Sequence, residues 1–288
     1  MKRLSYLLTL LILVNACGTP TQKAGKPILT VTLEPLRYLT EALTGNDFQV
    51  VSMVPKGSSP ESYDPTPQQL VNLNRSQAYL RIGYIGFEQA WMKKLEANYP
   101  DMKVFDTSKG VDLIRGEGHW HGDHFHEGGI EPHIWNSTQN AAIIAENIYM
   151  ALCELNPPQQ EAYRQRLDSL KQVILHTDKK IRSLLHEADS TFLIYHPALS
   201  YFARDYGLKQ ISIEEDGKEP SPAQLKALIE TTRKENTHVI FVQQEFDQRN
   251  AQLIADELGV NIVPINPLSY EWPKEMIQIA RALNSVSP

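Results

Sequence analysis

The chain has 288 residues, a formal net charge of −6 and an ordinary globular composition, with 42% hydrophobic and 22% charged residues. This length exceeds one domain of roughly 100 to 200 residues, so we expect two globular lobes. The composition excludes a disordered chain, and the negative charge argues against nucleic acid as a partner, because proteins that bind nucleic acid present a basic face.

The N-terminus predicts export and a lipid anchor. Two basic residues precede the apolar run 4–14, which is shorter than the roughly 20 residues that span a bilayer and therefore indicates a cleaved signal peptide over residues 1–17. Ala16 before Cys17 is typical of a bacterial lipobox, although Asn15 departs from that pattern. We expect Cys17 to be acylated and the protein to lie on a bacterial membrane, in the periplasm or at the cell surface. The alternative is an ordinary thiol near the cleavage site.

The second cysteine, Cys153, has no cysteine partner left in the mature chain. This excludes an intramolecular disulfide framework and a multi-cysteine zinc site, so any metal must be bound by histidines and carboxylates. Residues 18–26 are small and polar, and we expect them to form a flexible tether.

Short β-branched runs then alternate with amphipathic stretches. In the first half, Thr66 followed by Pro67 predicts a helix start, because it combines a capping residue with proline at the first helical position. The apolar runs that predict strands in this half are 28–33, 50–54 and 78–82.

The middle of the chain is helical in period over 136–150 and 157–187, and the second stretch is long enough to connect two lobes. The alternation then resumes, with predicted strands at 191–195, 210–213, 239–242 and 261–265. Near-continuous apolar strands that alternate with helices indicate parallel sheets covered by helices.

The predicted fold is therefore α/β, with two small parallel-sheet lobes bridged by a long rigid helix and a metal site in the cleft between them. Ligands of open parallel sheets collect outside the carboxyl ends of the strands, which between two lobes is the cleft. The predicted units are an N-terminal lobe over 27–136 that includes a histidine-rich loop at 116–129, a linking helical region over 137–188, and a C-terminal lobe over 189–288.

The histidine-rich loop predicts metal binding. Its sequence HWHGDHFH contains His119, His121, His124 and His126, so with His133 it holds five of the nine histidines. Neutral imidazole is a preferred ligand of zinc, and several similar ligands in a mobile loop would bind metal weakly. The alternatives are a solvated polar loop or an affinity tag, and the irregular, internal sequence argues against a tag. We expect these four histidines to form an auxiliary metal loop.

Two other histidines lie at positions that favour a rigid site. His133 stands between a proline and the apolar pair Ile134 and Trp135, and His196 directly follows the predicted strand 191–195. Each of them alone is as compatible with a histidine at the core edge as with a ligand. Two histidines at the boundaries of strands or helices favour ligands.

Four stretches together resemble the zinc and manganese solute-binding proteins of ABC importers, the cluster A-I receptors. The resemblance covers nearly the whole mature chain, and it implies two α/β lobes joined by a rigid helix, a metal held between them and a membrane permease as partner. The stretches are GSSPESYDPTP at 57–67, EPHIW at 131–135, YHPALSYFARDYGL at 195–208 and DGKEPSP at 216–222.

The resemblance also implies a ligand set. His133 matches the histidine of the family's D-P-H-x-W motif, with Glu131 in place of the aspartate, and His196 matches the histidine of H-x-A-x-x-Y-F. Where the family has P-H-x-Y-E-P this chain reads PESYDP, so Glu61 replaces a histidine. Asn266 replaces the family's acidic fourth ligand before Pro-Leu, and since asparagine is a poor zinc ligand we expect it only to line the site.

The expected cargo is zinc, with manganese less favoured, because manganese-preferring relatives have a carboxylate in the place of His196 and imidazole favours zinc. The expected function is a monomeric receptor without catalysis that delivers zinc to an ABC importer permease. A zinc hydrolase is an alternative, since two histidines, one glutamate and an open position also describe catalytic zinc, but the sequence has no H-E-x-x-H. A zinc buffer or chaperone without an importer is another.

Two further charged segments are predicted to be exposed to solvent. Arg204 and Asp205 are expected to be surface charges of a helix. The acidic run that begins at Glu214 is expected to be a solvated turn, although its position after a predicted strand leaves a role in the cleft or in docking open.

Overall fold

The computed structural model describes residues 25–116, 119–121, 124–126, 129–186, 188–214, 220–235, 237–246 and 249–284. At 119–121 and 124–126 only the backbone is described. The predicted signal peptide, Cys17 and most of the tether lie outside these residues, as do the side chains of His119, His121, His124 and His126. None of the helices in the described ranges combines the length and apolar character needed to cross a membrane.

The first lobe is built on a four-stranded parallel sheet in the order β2-β1-β3-β4. The three predicted strands are present, and a fourth was missed because its short run is only partly buried. The strands are β1 (Ile28–Val31), β2 (Gln49–Ser52), β3 (Ser76–Arg81) and β4 (Lys103–Asp106).

The second lobe repeats this arrangement. Its parallel sheet has the order β8-β7-β9-β10, which is the strand order of the first sheet. The two central strands are buried along their whole length, which explains their continuous apolar sequence. The strands are β7 (Thr191–Ile194), β8 (Lys209–Ser212), β9 (Val239–Gln243) and β10 (Asn261–Ile265).

In the chain between the two sheets, the histidine-rich segment forms a short antiparallel hairpin rather than a loop without regular structure. Its strands are β5 (His119–His121) and β6 (His124–His126), and the backbone of His119 pairs with that of His126.

Nine helices in the described ranges cover the sheets: α1 (Glu34–Thr44), α2 (Pro67–Leu73), α3 (Gly86–Asn98), α4 (Thr138–Leu155), α5 (Gln160–Leu185), α6 (Ser200–Tyr206), α7 (Pro222–Lys234), α8 (Arg249–Leu258) and α9 (Trp272–Asn284). The helices that follow the second strand of each sheet begin alike. Thr66 before α2 and Ser221 before α7 each form a capping box with a glutamine three residues later, and each is followed by proline.

One hydrophobic core runs through both lobes. It joins Leu29 of the first sheet and Phe192 of the second to Trp135 and Ile144 between them. The connector α5 has 26 residues, about 39 Å at 1.5 Å per residue, and it packs against α1 of the first lobe and α9 of the second. The predicted architecture of two parallel-sheet lobes bridged by a long helix is confirmed.

Candidate metal centre

The structure brings together three side chains that are far apart in sequence. Glu61 lies in the loop after β2, His133 follows the hairpin, and His196 follows β7. Each offers one ligand atom, and these three atoms all lie within 4.8 Å of one another. Within the described ranges no other set of three or more histidine, cysteine or acidic residues is arranged in this way.

The separations of these atoms match a single ion. The Nε2 atoms of His133 and His196 are 3.3 Å apart, and His133 Nε2 is 3.5 Å from Glu61 Oε1. Two ligands that bind a tetrahedral zinc ion at about 2.0 to 2.1 Å lie roughly 3.3 to 3.4 Å from each other. Glu61 Oε1 is also buried without a hydrogen-bond partner among the described residues, and a buried carboxylate oxygen without a donor is costly unless a cation pairs with it.

Two further carboxylates orient the histidine rings. His133 Nδ1 donates to Glu131 Oε1 at 2.5 Å, and His196 Nδ1 donates to Glu214 Oε2 at 2.8 Å. A proton on each Nδ1 leaves each Nε2 as a free electron pair that points into the site. In metal sites such a carboxylate–histidine arrangement fixes the ring and raises the basicity of the nitrogen that faces the ion.

The two imidazoles have opposite pKa shifts. Burial lowers the pKa of His133, but the hydrogen bond and charge of Glu131, with the charges of Glu61 and Glu214, outweigh it and raise the pKa above its usual 6.5. Burial and the neighbouring His133 lower the pKa of His196 despite the contact with Glu214. The two rings therefore differ in proton affinity, although their Nε2 atoms are only 3.3 Å apart.

His196 lies at the topological switch point of the second sheet, where the order of successive strands reverses. It follows β7, whose neighbours β8 and β9 lie on opposite sides, and such switch points are the usual ligand sites of parallel sheets. Gln243, the last residue of β9, accepts from the His196 N–H at 3.3 Å and donates to its carbonyl at 2.6 Å. The ring of Phe246 stacks on the imidazole at 4.9 Å between centroids.

The segment that carries His133 is bound to the second lobe. Trp135 Nε1 donates to the carbonyl of Pro267 at 2.9 Å, and Trp272 Nε1 donates to the carbonyl of Trp135 at 2.8 Å. Tyr201 donates to the carbonyl of Glu131 at 2.9 Å. The Glu131 N–H also donates to the carbonyl of Ile114, beyond the last strand of the first lobe, at 3.0 Å. The segment of His133 therefore contacts both lobes, whereas Glu61 follows a strand of the first lobe and His196 a strand of the second. The predicted lobe boundary at residue 136 stays a prediction.

The ligand atoms open into a cavity of about 30 Å³, against the roughly 10 to 15 Å³ that one water molecule needs on this scale. Apolar side chains, among them Trp135, Phe246 and Leu268, form much of its wall. Glu245 also lines it, and burial raises the pKa of Glu245. The space suits one ion with one or two waters.

Asn266 differs from its prediction as a lining residue. Its side-chain oxygen accepts from the N–H of Leu268 at 3.1 Å, so it closes a local turn. Asn266 lines a neighbouring cavity, and Pro267 and Leu268 line the metal cavity in its place.

Two interpretations of charged residues were wrong. Asp205 is not a surface charge, since its side chain is 1% exposed and accepts hydrogen bonds from Ser137, at the start of α4, and from Arg204. Glu214 is not a solvated turn residue, because it is buried against His196, which agrees with the alternative of a role in the cleft. The sequence did not identify Glu131 and Glu214 as partners of the two histidines. The pattern that could have indicated this role is the position of Glu214 after a strand and the position of Glu131 two residues before His133. The side chains of the auxiliary loop and Cys17 lie outside the described residues.

Comparison with known proteins agrees with this site. Residues 29–284 match the family model described as zinc-uptake complex component A, periplasmic. The chain is 26% identical over 284 residues to the zinc-binding lipoprotein AdcA of Streptococcus pneumoniae, which covers 93% of this chain and 56% of AdcA. It is 27% identical over 267 residues to the iron ABC transporter substrate-binding lipoprotein MtsA of Streptococcus pyogenes, which covers 88% of this chain and 83% of MtsA.

Among solved structures, a crystal structure of ZnuA superposes with a TM-score of 0.84 at 31% identity, over 91% of this chain and 99% of that one. The chain spans 56% of the length of AdcA, so the whole of that relative is not represented here. The family model covers nearly all of the two lobes, including Glu61, His133 and His196. The chain therefore belongs to the family of the periplasmic zinc-uptake component A.

Proposed function

We propose that this protein is a zinc receptor that captures the ion between its two lobes and delivers it to an ABC importer. The observation that carries the proposal is the group formed by Glu61, His133 and His196, whose ligand atoms have the separations of a tetrahedral site. Because Glu61 follows a strand of the first lobe and His196 a strand of the second, opening of the cleft would separate these two ligands and release the ion.

The ligand chemistry favours zinc over manganese. Two imidazole nitrogens and one carboxylate oxygen suit zinc, whereas manganese prefers sites rich in oxygen. The relatives differ in the metals that their names state, zinc for AdcA and iron for MtsA, so they leave the choice to the site. Manganese is a weaker second cargo in this proposal.

The small cavity argues against a zinc hydrolase. Its volume of about 30 Å³ admits an ion and water but leaves no room for an organic substrate beside them. Among the residues that the structure describes, Glu245 is the one acidic residue that lines the cavity without belonging to the ligand group. Turnover of ester, peptide or phosphate substrates that depends on zinc and is lost in Glu245→Gln would establish the hydrolase instead.

The partner and location complete the proposal. We place the mature protein outside the cytoplasm, held to the membrane by acylated Cys17, as a monomer that docks on an importer permease. In cells, Cys17→Ser should abolish labelling by a fatty-acid analogue and release the protein from the membrane fraction. Deletion of the gene should lower zinc uptake under zinc limitation, and unchanged uptake would favour a buffer or chaperone without an importer.

The direct test is titration of the metal-stripped protein with zinc. We expect one tightly bound ion per chain, and a stabilisation of about 2.7 kcal/mol when free zinc is 100 times the dissociation constant. Manganese should bind more weakly in the same assay. Absence of zinc binding in calorimetry and of any zinc-dependent rise in melting temperature would refute the proposal.

A further inference from the structure

The two oxygens of the Glu61 carboxylate have different surroundings. Oε1 lies 3.5 Å from His133 Nε2 and accepts no hydrogen bond from the described residues. Oε2 accepts from the backbone N–H of Gly86, the first residue of α3, at 3.2 Å. One oxygen is therefore free to bind an ion, and the other is occupied by the protein.

Gly86 is also required for space. A Cβ atom at this position would lie 2.3 Å from the carbonyl oxygen of Glu61 and 3.0 Å from its Oε2. Real Cβ atoms do not approach a backbone oxygen this closely, so any side chain would push the Glu61 backbone away from α3. The backbone of Gly86 does not have a positive φ angle, so close approach alone explains the glycine.

The first turn of α3 is itself firmly attached to the sheet of the first lobe. Glu88 is buried, and its carboxylate accepts from the N–H groups of Ile82 at 2.8 Å and Gly83 at 2.7 Å and from the hydroxyl of Thr32. These partners directly follow β3 and β1. Glu88 thus fixes the first turn of α3, and with it the Gly86 N–H, to the ends of two central strands.

The loop that carries Glu61 packs along the same first turns of α3. The N–H of Phe87 donates to the carbonyl of Pro60 at 2.9 Å, and Trp91 Nε1 donates to Asp64 Oδ1 at 2.9 Å. The loop therefore contacts α3 on both sides of Glu61. The N-terminal end of a helix also carries a partial positive charge, which favours a carboxylate at this place.

We propose that Gly86 is a positioning residue of the metal site that restricts Glu61 to a single ligand oxygen and so favours zinc over manganese. The inference rests on the proposed function, since it presumes that zinc is bound in this cleft. Zinc takes four ligands, and a glutamate that offers one oxygen leaves the geometry tetrahedral. Manganese prefers six oxygen-rich ligands and would profit from a carboxylate that is free to offer both oxygens.

The test compares Gly86→Ala with Gly25→Ala, whose added Cβ meets no atom within 4 Å. Loss of an interaction that supports a metal ligand typically lowers affinity about 10- to 100-fold, and we expect a zinc loss of this size in Gly86→Ala and none in Gly25→Ala. Manganese affinity should fall much less, so that the ratio of zinc to manganese affinity drops. The visible spectrum of the cobalt(II)-loaded protein should change in Gly86→Ala from the pattern of a four-coordinate site.

A double-mutant cycle shows whether Gly86 acts through Glu61. In a Glu61→Ala background, Gly86→Ala should cause no further loss of zinc affinity, because the carboxylate that it positions is gone. A loss that persists in that background, or an equal loss for zinc and manganese, would show general damage and overturn the proposal. Unchanged zinc affinity and cobalt spectrum in Gly86→Ala would overturn it as well.

A second variant covers the case in which Gly86→Ala does not fold. Glu88→Gln keeps the volume of the side chain but weakens its hold on the strand ends, so it should lower zinc affinity more than manganese affinity, and only when Glu61 is present. Equal affinities in Glu88→Gln and the parent protein would contradict the proposal. Failure of the parent protein to bind zinc would instead refute the proposed function, so the two failures are distinguishable.

Discussion

The segments after β2 and after β8 occupy the same place in two sheets of identical strand order, and each carries a carboxylate of the metal site. Both lead into a helix that begins with a capping box, at Thr66 in one lobe and at Ser221 in the other. Yet Glu61 in the first segment faces the ion position directly, whereas Glu214 in the second binds the far side of an imidazole ring.

The end of the neighbouring central strand explains this difference. In the second lobe His196 follows β7 and fills the space at the cleft, so Glu214 meets Nδ1 of that ring and not the ion. In the first lobe the hydroxyl of Thr32 follows β1 and binds Glu88, which leaves the cleft open for Glu61. Corresponding segments of a repeated fold thus acquire different functions through their neighbours.

The largest expected effect comes from removing both nitrogen ligands. His133→Ala combined with His196→Ala leaves a single carboxylate, so we expect zinc binding in calorimetry to fall below detection. His176→Ala, at an exposed position on α5, is the matched control and should bind zinc as the parent does. Tight zinc binding by the double variant would place the site elsewhere.

The next prediction compares the two carboxylates directly. Glu214→Gln removes a group that orients a ligand, and such changes cost about 10- to 100-fold in metal affinity. Glu61→Gln removes a charged ligand itself, so we expect a larger loss. Competition with a chromophoric zinc chelator measures both, and equal losses would mean that the two carboxylates do not differ in function as the geometry indicates.

Glu131→Gln sharpens the comparison, because Glu131 has a structural task that Glu214 lacks. Besides His133 Nδ1 it accepts from the His133 N–H at 3.0 Å and from Ser200 at 3.1 Å. We expect the metal-free variant to lose about 1 to 3 kcal/mol in its free energy of unfolding, as is typical when a buried hydrogen-bonding group loses its partner. Urea unfolding measures this, and a larger destabilisation in Glu214→Gln would contradict it.

A smaller effect is expected from a change at Tyr270, which forms a contact between the lobes outside the metal cavity. It donates to Glu41 Oε2 at 2.6 Å, and Arg37 lies 4.6 Å above its ring. We expect Tyr270→Phe to remove about 1 kcal/mol of stabilisation and to accelerate zinc release a few-fold in stopped-flow measurements. A release rate equal to that of the parent would show that this contact does not hold the cleft closed.

The smallest effect on zinc affinity in the cleft is expected from deletion of the histidine-rich segment. Deletion of 118–127 should leave the affinity of the main site unchanged in calorimetry, because none of the three ligands lies in it. Uptake by cells at scarce zinc should fall. Equal loss of cleft affinity and uptake would mean that the segment belongs to the main site.

The sequence by itself determined the architecture and the choice of candidate ligands for the proposed site. Apolar runs such as 191–195 predicted buried parallel strands, since period and burial are local properties of the chain. His133 and His196 were identified because both stand at the ends of such elements, where side chains of a parallel sheet reach the cleft. The departure at Glu61 was also evident from its motif.

Only the tertiary structure decided how these groups meet. The separation of the two Nε2 atoms, the contact of Glu214 with His196 and the approach of Gly86 to Glu61 depend on how helices pack across two lobes. No local pattern specifies such distances, because each partner lies on a different element. For the same reason Asn266, placed in the site by its motif, turned out to hydrogen-bond its own loop.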